Sequence, residues 1–446
     1  MTLLSSILHN FNLHHKLRRL RKSKFVCNVA IVATGTAGAQ AVTMAFSPII
    51  TRLYGPEAFG LLGMFMALVA LLYPISALAY PIAIVLPKED NDAKDIARLS
   101  VYISLAMAVV FLLAILVGGD WLLALAGAKA IAAFDLLIPL NVLFVTWLQI
   151  AQKWLIRKKQ FHVTAKVAVV QSLVVNSTKV GIGWFNPLAA VLIVLTTFGC
   201  ALHTVMLYFG AKREGPSKDY TGQSQTRTPL FELAKRYYDF PLYRTPQIFL
   251  NAISQNLPVL MLAAFFGPSS AGFYAICRRV LSLPSELIAK SVGDVFYPRI
   301  AEAANKGENL TSLILKATLG LIAVGFLPFA LVVVFGPWLF AFVFGVEWIQ
   351  AGEYARWLAL WLFFAFINRP SVAAIPVMNL QGYFLIYELL SVGLRLLALC
   401  IGFFMFKDDI LAILLFSLAG IVLNVSLILL TLYRSKSYGI KIQAAL

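Results

Sequence analysis

Long apolar runs recur along almost the whole chain, and they limit its fold more than any other feature. A membrane-crossing helix needs about 20 mostly apolar residues, and twelve such stretches can be marked in the sequence. The predicted spans cover residues 25–53, 59–86, 100–118, 130–150, 163–184, 188–209, 246–266, 272–296, 313–335, 354–378, 384–406 and 410–432. Hydrophobic residues make up 60% of the chain and charged residues 13%, against about 45–50% and about 25% in soluble proteins. These values exclude a cytosolic enzyme, a nucleic-acid-binding protein and a secreted domain, and they predict an all-α polytopic membrane protein.

The charged residues between the spans predict the orientation. Lysine and arginine number 37 against 20 acidic residues, a formal net charge of +17. Nearly all the basic residues of the predicted loops fall on one side of the membrane, and the other side has only Arg52, Lys129 and Lys407. Because cytoplasmic loops are enriched in lysine and arginine, both termini are predicted to be cytoplasmic. The positive charge is thus explained by topology and does not indicate a nucleic-acid partner.

One long polar segment divides the chain into two halves of six predicted spans. The predicted organisation is a basic cytoplasmic tail (1–24), an N-lobe (25–210), a cytoplasmic linker (211–244), a C-lobe (245–433) and a cytoplasmic C-terminal tail (434–446). Since both halves begin on the same side, the repeat is predicted to be parallel, with an axis along the membrane normal. Two such lobes around a central cleft are typical of carriers that work by alternating access.

Three short motifs support the internal repeat because they recur in the same order in both halves. The segment YGPEAFG (54–60) matches FGPSSAG (266–272). Further on, LPK (86–88) corresponds to YPR (297–299), and GDWL (119–122) corresponds to GPWL (336–339).

Ionisable residues inside the spans form the candidate site, because such groups normally face a cavity or a partner rather than lipid. The candidate cargo-binding residues are Arg278, Arg279, Lys290, Arg356, Arg369 and Arg395, together with Arg52 at the outer end of the first span. The candidate ion-coupling carboxylates are Asp135 in the fourth span and Glu286, Asp294 and Glu388 in the second half. Some of these groups could instead neutralise each other, since Glu286 with Lys290 and Lys290 with Asp294 have the spacing of helical ion pairs.

The arginines of the second half outnumber the nearby carboxylates, which predicts a cationic cavity for an anionic cargo. The planar guanidinium group stays protonated and can hold phosphate oxygens in pairs, so phosphate or pyrophosphate is the natural ligand. Asn368-Arg369-Pro370 adds a helix-breaking proline beside one arginine. Broken helices are common at transporter sites, although an ordinary packing kink would look the same in the sequence.

The sequence predicts no catalytic residue, metal site or cofactor, and the chain is not expected to be an enzyme. The four cysteines and five histidines lack metal-ligand spacing, and the cysteines form no disulfide framework. A glycine-rich phosphate loop ending in Lys-Ser or Lys-Thr is also missing. A cargo gradient, the membrane potential or a co-transported ion would therefore have to drive turnover.

The segment SPIITRLYGPEAFG (47–60) resembles the opening signature of the O-antigen and polysaccharide-biosynthesis flippases, a family within the multidrug/oligosaccharidyl-lipid/polysaccharide exporter superfamily. The similarity continues through LPK (86–88), YYDFPLY (237–243) and FYPR (296–299). The resemblance implies two six-helix lobes in the bacterial inner membrane that move an undecaprenyl-pyrophosphate-linked oligosaccharide from the cytoplasmic to the periplasmic leaflet. It also implies membrane lipid, a polysaccharide polymerase and a chain-length regulator as partners, and it assigns no individual cargo contact.

Two other functions remain open from the sequence. An ion-coupled multidrug exporter of the same superfamily would favour buried carboxylates in excess, whereas here the cations are in excess. A membrane glycosyltransferase or polymerase would need catalytic acids and large outer loops, and the predicted outer loops are short.

Overall fold

The computed structural model describes residues 24–87, 89–213, 229–378 and 380–443. These residues form helices and turns, and no strand occurs among them. The helices are α1 (Lys24–Ser76), α2 (Tyr80–Ala83), α3 (Asp90–Leu125), α4 (Leu137–Arg157), α5 (Phe161–Phe185), α6 (Ala189–Arg213), α7 (Leu230–Arg236), α8 (Thr245–Phe266), α9 (Pro268–Asn305), α10 (Leu310–Phe344), α11 (Ile349–Ile367), α12 (Arg369–Ala374), α13 (Gln381–Ile401) and α14 (Asp409–Gln443). A helix satisfies its own backbone hydrogen bonds, which is what hydrocarbon requires of a spanning segment. The predicted all-α polytopic membrane fold is confirmed.

Within these described ranges, eight helical segments combine the length and hydropathy needed to cross a membrane. One of them, Thr34–Ser76, is 43 residues long and covers most of the first two predicted spans, residues 34–53 and 59–76. The remaining predicted spans coincide with helices that are long but less apolar, namely α4, α5 and α9. Twelve crossings are therefore consistent with the helices and remain a prediction.

The repeated motif breaks the helices in the same way in both halves. Gly55 interrupts α1 with φ 68° and ψ 173°, and Gly267 separates α8 from α9 with φ 93° and ψ 172°. A positive φ favours glycine, and the proline that follows each one is suited to the first turn of the next helix. The recurrence of YGP and FGP thus encodes one backbone turn used twice.

Two helices continue past the predicted ends of their spans. The third and ninth spans are predicted to end at residues 118 and 335, whereas α3 runs to Leu125 and α10 to Phe344. Apolar residues continue past the glycines there, and Gly118 (φ −147°) only kinks α3. Helix α14 continues from the last predicted span into the predicted C-terminal tail (434–446) as far as Gln443, and the cytoplasmic location of that tail remains a prediction.

The chain divides into two compact units. Unit 1 comprises residues 1–53, 68–123 and 131–253, and unit 2 comprises residues 54–67, 124–130 and 254–446. Residues 1–23, 88, 214–228, 379 and 444–446 lie outside the described residues. The N-terminal tail and most of the predicted linker fall among them.

Neutral hydrogen bonds between helices hold unit 1 together. A Cβ atom on Gly35 of α1 would lie 2.2 Å from the Cβ of Ala165 on α5, so these two helices are in close contact. Beside this contact, the hydroxyls of Thr43 and Ser172 are 2.9 Å apart. Between α4 and α6, the side-chain amide of Asn141 donates to the hydroxyl of Thr197 at 2.9 Å. Small and hydroxyl side chains are typical of helix contacts in membranes.

At one end of unit 1, an arginine is buried in an ion pair. Arg157, 4% exposed, donates through Nε to a carboxylate oxygen of Asp90 at 3.0 Å. It also donates to the carbonyl oxygens of Pro87 at 2.6 Å and Ile84 at 3.3 Å. The side chain of Lys158 binds the second oxygen of Asp90. The end of the second predicted span is therefore bound to Arg157 through the carbonyl oxygens of Ile84 and Pro87.

In unit 2, the two copies of the repeated motif pack against each other. A Cβ on Gly60 would lie 1.7 Å from the carbonyl oxygen of Pro268, and a Cβ on Gly272 would lie 2.2 Å from that of Pro56. Each motif thus ends in a glycine, and the absence of a side chain there allows the backbone of the other copy's proline to approach closely. The contact is reciprocal, as expected for a two-fold repeat.

Candidate functional site

Arg278 and Arg395 of unit 2 both interact mainly with uncharged groups. Arg278, on α9, donates to the main-chain oxygen and to the side-chain oxygen of Gln255 on α8. Arg395, on α13, donates through Nε to the carbonyl oxygen of Ser391 at 3.0 Å. Its guanidinium carbon lies 5.3 Å from the ring centre of Trp361 and 5.9 Å from that of Phe416, which is within the range of a cation–π contact.

These two arginines belong to one electrostatic neighbourhood. The charge of Arg395 interacts with Glu388 and Tyr387 on its own helix, and with Arg278 and Tyr274 on α9. Glu388 is exposed, whereas both arginines are half-buried. We call Arg278, Arg395, Glu388, Gln255 and Trp361 the basic cluster. It contains two guanidinium groups and one carboxylate.

The other predicted cargo-binding arginines have different surroundings. Arg279 is exposed and has no hydrogen bond or ion pair with any residue that the structure describes. Arg369 is exposed at the first residue of α12, and Arg52 is exposed on α1. Arg356 instead forms an ion pair with Glu353 at 3.1 Å and donates to the carbonyl oxygen of Val334 at 3.2 Å. A carboxylate on its own helix thus offsets the charge of Arg356.

Among the predicted carboxylates, the placement of Asp135 inside the fourth span is wrong. A 3₁₀ segment, Lys129–Phe134, precedes it, and α4 begins only at Leu137. One of its carboxylate oxygens accepts the backbone N–H of Leu136 at 2.6 Å. A carboxylate before a helix can satisfy an N–H group that has no partner within the helix, and ion coupling by Asp135 remains a prediction. The side chains of Glu286, Lys290 and Asp294 lie outside the described residues.

The helix break predicted at Asn368-Arg369-Pro370 is present. Helix α11 ends at Ile367 and α12 begins at Arg369. At the break, the buried side-chain amide of Asn368 donates to the side-chain oxygen of Asn424 on α14 at 2.9 Å. The side-chain oxygens of Asn368 and Ser371 are buried without a hydrogen-bond partner among the described residues. The helix break before Pro370 therefore coincides with buried polar side-chain atoms of Asn368 and Ser371.

Sequence reasoning missed Asp409. One carboxylate oxygen of Asp409 accepts hydrogen bonds from the hydroxyl of Tyr354 at 2.6 Å, the amide of Gln350 at 2.8 Å and the hydroxyl of Ser270 at 2.9 Å. These donors lie on α9 and α11, so Asp409 links three helices at the end predicted to face away from the cytoplasm. A carboxylate just after Lys407 and Asp408 looks like a loop residue. The sequence signal that could have identified it is its position directly before the predicted span 410–432, where a helix begins.

The basic cluster has the chemistry to bind an anion. Guanidinium groups bind phosphate oxygens through charge-assisted hydrogen bonds. A half-buried site strengthens such bonds because water screens them less. The indole ring of Trp361 lies against the guanidinium group of Arg395 and the ring of Phe416, and so helps to position this charge.

Comparisons with known proteins agree with this architecture. The chain is 24% identical over 341 residues to the succinoglycan biosynthesis transport protein ExoT of Rhizobium meliloti (strain 1021), covering 73% of this chain and 63% of that protein. The chain therefore spans less than two thirds of that relative's length.

Two solved structures share the fold. One is a multidrug resistance MATE family transporter of the MOP superfamily, with a TM-score of 0.66, 13% identity and coverage of 90% of this chain and 95% of that one. The other is the lipid II flippase MurJ, with a TM-score of 0.62, 14% identity and coverage of 89% and 86%. At this level of identity the likeness establishes the fold alone.

A family model described as polysaccharide biosynthesis protein matches residues 49–353. The match begins just before the YGPEAFG motif and continues through both units into α11. More than half of the chain is covered, and the chain therefore belongs to the polysaccharide biosynthesis protein family.

Proposed function

We propose that this protein is a flippase that moves an undecaprenyl-pyrophosphate-linked oligosaccharide from the cytoplasmic to the periplasmic leaflet of the bacterial inner membrane. The cargo is a repeat unit of O-antigen or of another surface polysaccharide. The pyrophosphate binds the basic cluster, the sugars lie in the cavity predicted from the sequence, and the polyprenyl tail stays in lipid. The protein works by alternating access with both termini in the cytoplasm.

The observation that carries this proposal is the kind of partner that holds Arg278 and Arg395. An amide, carbonyl oxygens and aromatic faces position the two guanidinium groups without neutralising them. Glu388 can offset only one of the two charges. A half-buried site with excess positive charge favours a phosphate-bearing cargo, because an anion recovers the desolvation cost of the arginines.

The comparisons support the same class of protein. The family and the named relative are both linked to polysaccharide biosynthesis, and one protein of the same fold is a lipid II flippase. A polysaccharide polymerase that consumes the flipped repeat unit, and a chain-length regulator, are the partners that this function would require.

The alternative is an ion-coupled exporter of small molecules, since a multidrug transporter has the same fold. Glu388 is the described carboxylate that best fits coupling to an ion in either case, because it is exposed beside the arginines. A cationic drug would be repelled by the basic cluster.

Complementation of a flippase-null strain tests the proposal. Surface polysaccharide and accumulated lipid-linked precursor are measured for Arg278→Ala and Arg395→Ala, with Arg279→Ala and Arg369→Ala as further variants. Arg299→Ala is the matched control, since it removes an exposed arginine from a surface pair with Glu308. We expect export to fall at least about tenfold in the first two variants, because each loses a charge-assisted hydrogen bond to phosphate, and to stay normal in the control.

Two outcomes would contradict the proposal. One is normal export in both the Arg278 and the Arg395 variants at equal amounts of membrane protein. The other is failure of the unmodified chain to restore surface polysaccharide while it raises resistance to cationic drugs, which would favour the exporter.

A further inference from the structure

Unit 1 contains a groove that the proposed function does not use. It lies between the ends of α3, α4 and α6 that the charge pattern predicts to be cytoplasmic. The cavity has a volume of about 740 Å³, and its walls are mostly apolar, with Trp147, Trp154 and Leu207 among them. Small-molecule pockets commonly measure about 300–1,000 Å³, so the groove has room for a ligand.

Three lysines line the same groove. Lys158 shares Asp90 with the buried Arg157, so two cations there face one carboxylate. Lys94 and Lys212 are exposed, and neither has an ion pair or a hydrogen bond with the residues that the structure describes. The groove therefore combines apolar walls with uncompensated positive charge.

We propose that this groove binds an anionic phospholipid of the cytoplasmic leaflet. One acyl chain lies along the apolar wall formed by α4 and α6, and the phosphate meets the amines of Lys94 and Lys212. The amine of Lys158 lies 5.4 Å from the ring centre of Trp154, which places a cation next to an indole as is common at the level of lipid headgroups.

Charge and size both favour this occupant. The cytoplasmic leaflet carries anionic lipids, and basic pockets between helices on that side bind their headgroups. A cavity in the small-molecule range suits a single acyl chain better than a long polyprenyl chain. The groove shares no residue with the basic cluster, and this proposal does not depend on the identity of the cargo.

Quenching of tryptophan fluorescence tests the site on the purified full chain in neutral detergent. The probe is phosphatidylglycerol brominated on its acyl chains. We compare Lys94→Gln/Lys212→Gln with Lys129→Gln/Lys407→Gln, a control that removes two exposed lysines elsewhere. The affinity for the probe should fall roughly 30-fold in the groove variant, since each lysine near an anionic headgroup contributes about fivefold. It should change less than about twofold in the control, where no anion-binding groove is affected.

A second pair of variants tests where the acyl chain lies. Ala97→Phe fills the groove without changing its charge and should weaken quenching, and Trp154→Phe should reduce the quenched amplitude. The proposal is overturned if both double lysine variants lose affinity equally, or if brominated phosphatidylcholine quenches with the same affinity. It is also overturned if free inorganic phosphate displaces the probe, or if a polyprenyl phosphate displaces it at lower concentration than unlabelled phosphatidylglycerol.

Discussion

Asp90 in unit 1 and Asp409 in unit 2 each begin a long helix and each tie several segments together, but their partners differ in kind. Asp90 binds two cations, Arg157 and Lys158. Asp409 accepts hydrogen bonds from two hydroxyls and an amide, and it has no cationic partner among the described residues. The first carboxylate is part of an ion-paired anchor, whereas the second is held by uncharged donors.

The arginines of the two units differ in the same way, by whether their partners are charged or uncharged. Arg157 is buried against a carboxylate and two carbonyl oxygens, so its charge serves the fold. Arg278 and Arg395 are held by neutral groups and keep their charge available. The chemical nature of the partner therefore separates a structural charge from one that can bind cargo, even though the residue type is the same.

The largest effect is expected for Arg157→Ala. Removing one member of a buried ion pair costs up to about 3–5 kcal/mol. Lys158 still binds Asp90 in this variant, but the carbonyl oxygens of Ile84 and Pro87 lose their buried donor. We expect most of the variant protein to misfold. The measurement is the amount of monodisperse protein that detergent extracts from the membrane, which should fall. Arg278→Ala is the control and should yield normal amounts. Equal yields of the two variants would remove the distinction between structural and available arginines.

A smaller loss is expected for Asp409→Asn. The amide cannot accept three charge-assisted hydrogen bonds at one oxygen, and a hydrogen bond to a charged group contributes about 1.5–3 kcal/mol. We expect the free energy of unfolding in mixed micelles to fall by about 3 kcal/mol. The control Asp408→Asn changes an exposed neighbour that accepts the N–H of Leu411; asparagine can do the same, so its stability should be nearly unchanged. A loss of equal size at both positions would contradict the role of Asp409 as a link between helices.

The sequence predicted the helices and the repeat well because both rest on local rules. Apolar length predicts a spanning helix, and glycine followed by proline predicts the turns at Gly55 and Gly267. The partners of the charged residues depend on tertiary packing instead. No spacing rule links Arg278 to Gln255 or Asp409 to Tyr354, which lie 23 and 55 residues apart in sequence.

The error at Asp135 has a related origin. Its neighbours are apolar, so the residue looked like a charge within a span, whereas the helix starts two residues later. Hydropathy averages over about 20 residues and cannot resolve such an offset. The groove of unit 1 was missed because its lysines are far apart in sequence: Lys94 lies on α3, Lys158 in the turn after α4 and Lys212 on α6.

The repeated motif extends the comparison to the two halves of the chain. Gly60→Ala and Gly272→Ala should each lower the free energy of unfolding by about 2 kcal/mol, since overpacking against backbone atoms typically costs about 1–3 kcal/mol. Similar losses at the two positions would support the reciprocal contact. The control is Gly320→Ala on α10, where a Cβ meets nothing within 4 Å. That control should be neutral or slightly stabilising, and the prediction fails if it is as damaging as the motif variants.

The smallest effect is expected for Arg395→Lys, which asks whether charge alone is enough in the basic cluster. Lysine keeps the positive charge but loses the planar group that lies over Trp361 and Phe416. A cation–π contact at a partly exposed site contributes about 0.5–1 kcal/mol, so export should fall about two- to fivefold. The measurement is the ratio of surface polysaccharide to lipid-linked precursor at matched protein levels. A loss as large as that of Arg395→Ala would mean that the guanidinium geometry, rather than its charge, holds the cargo.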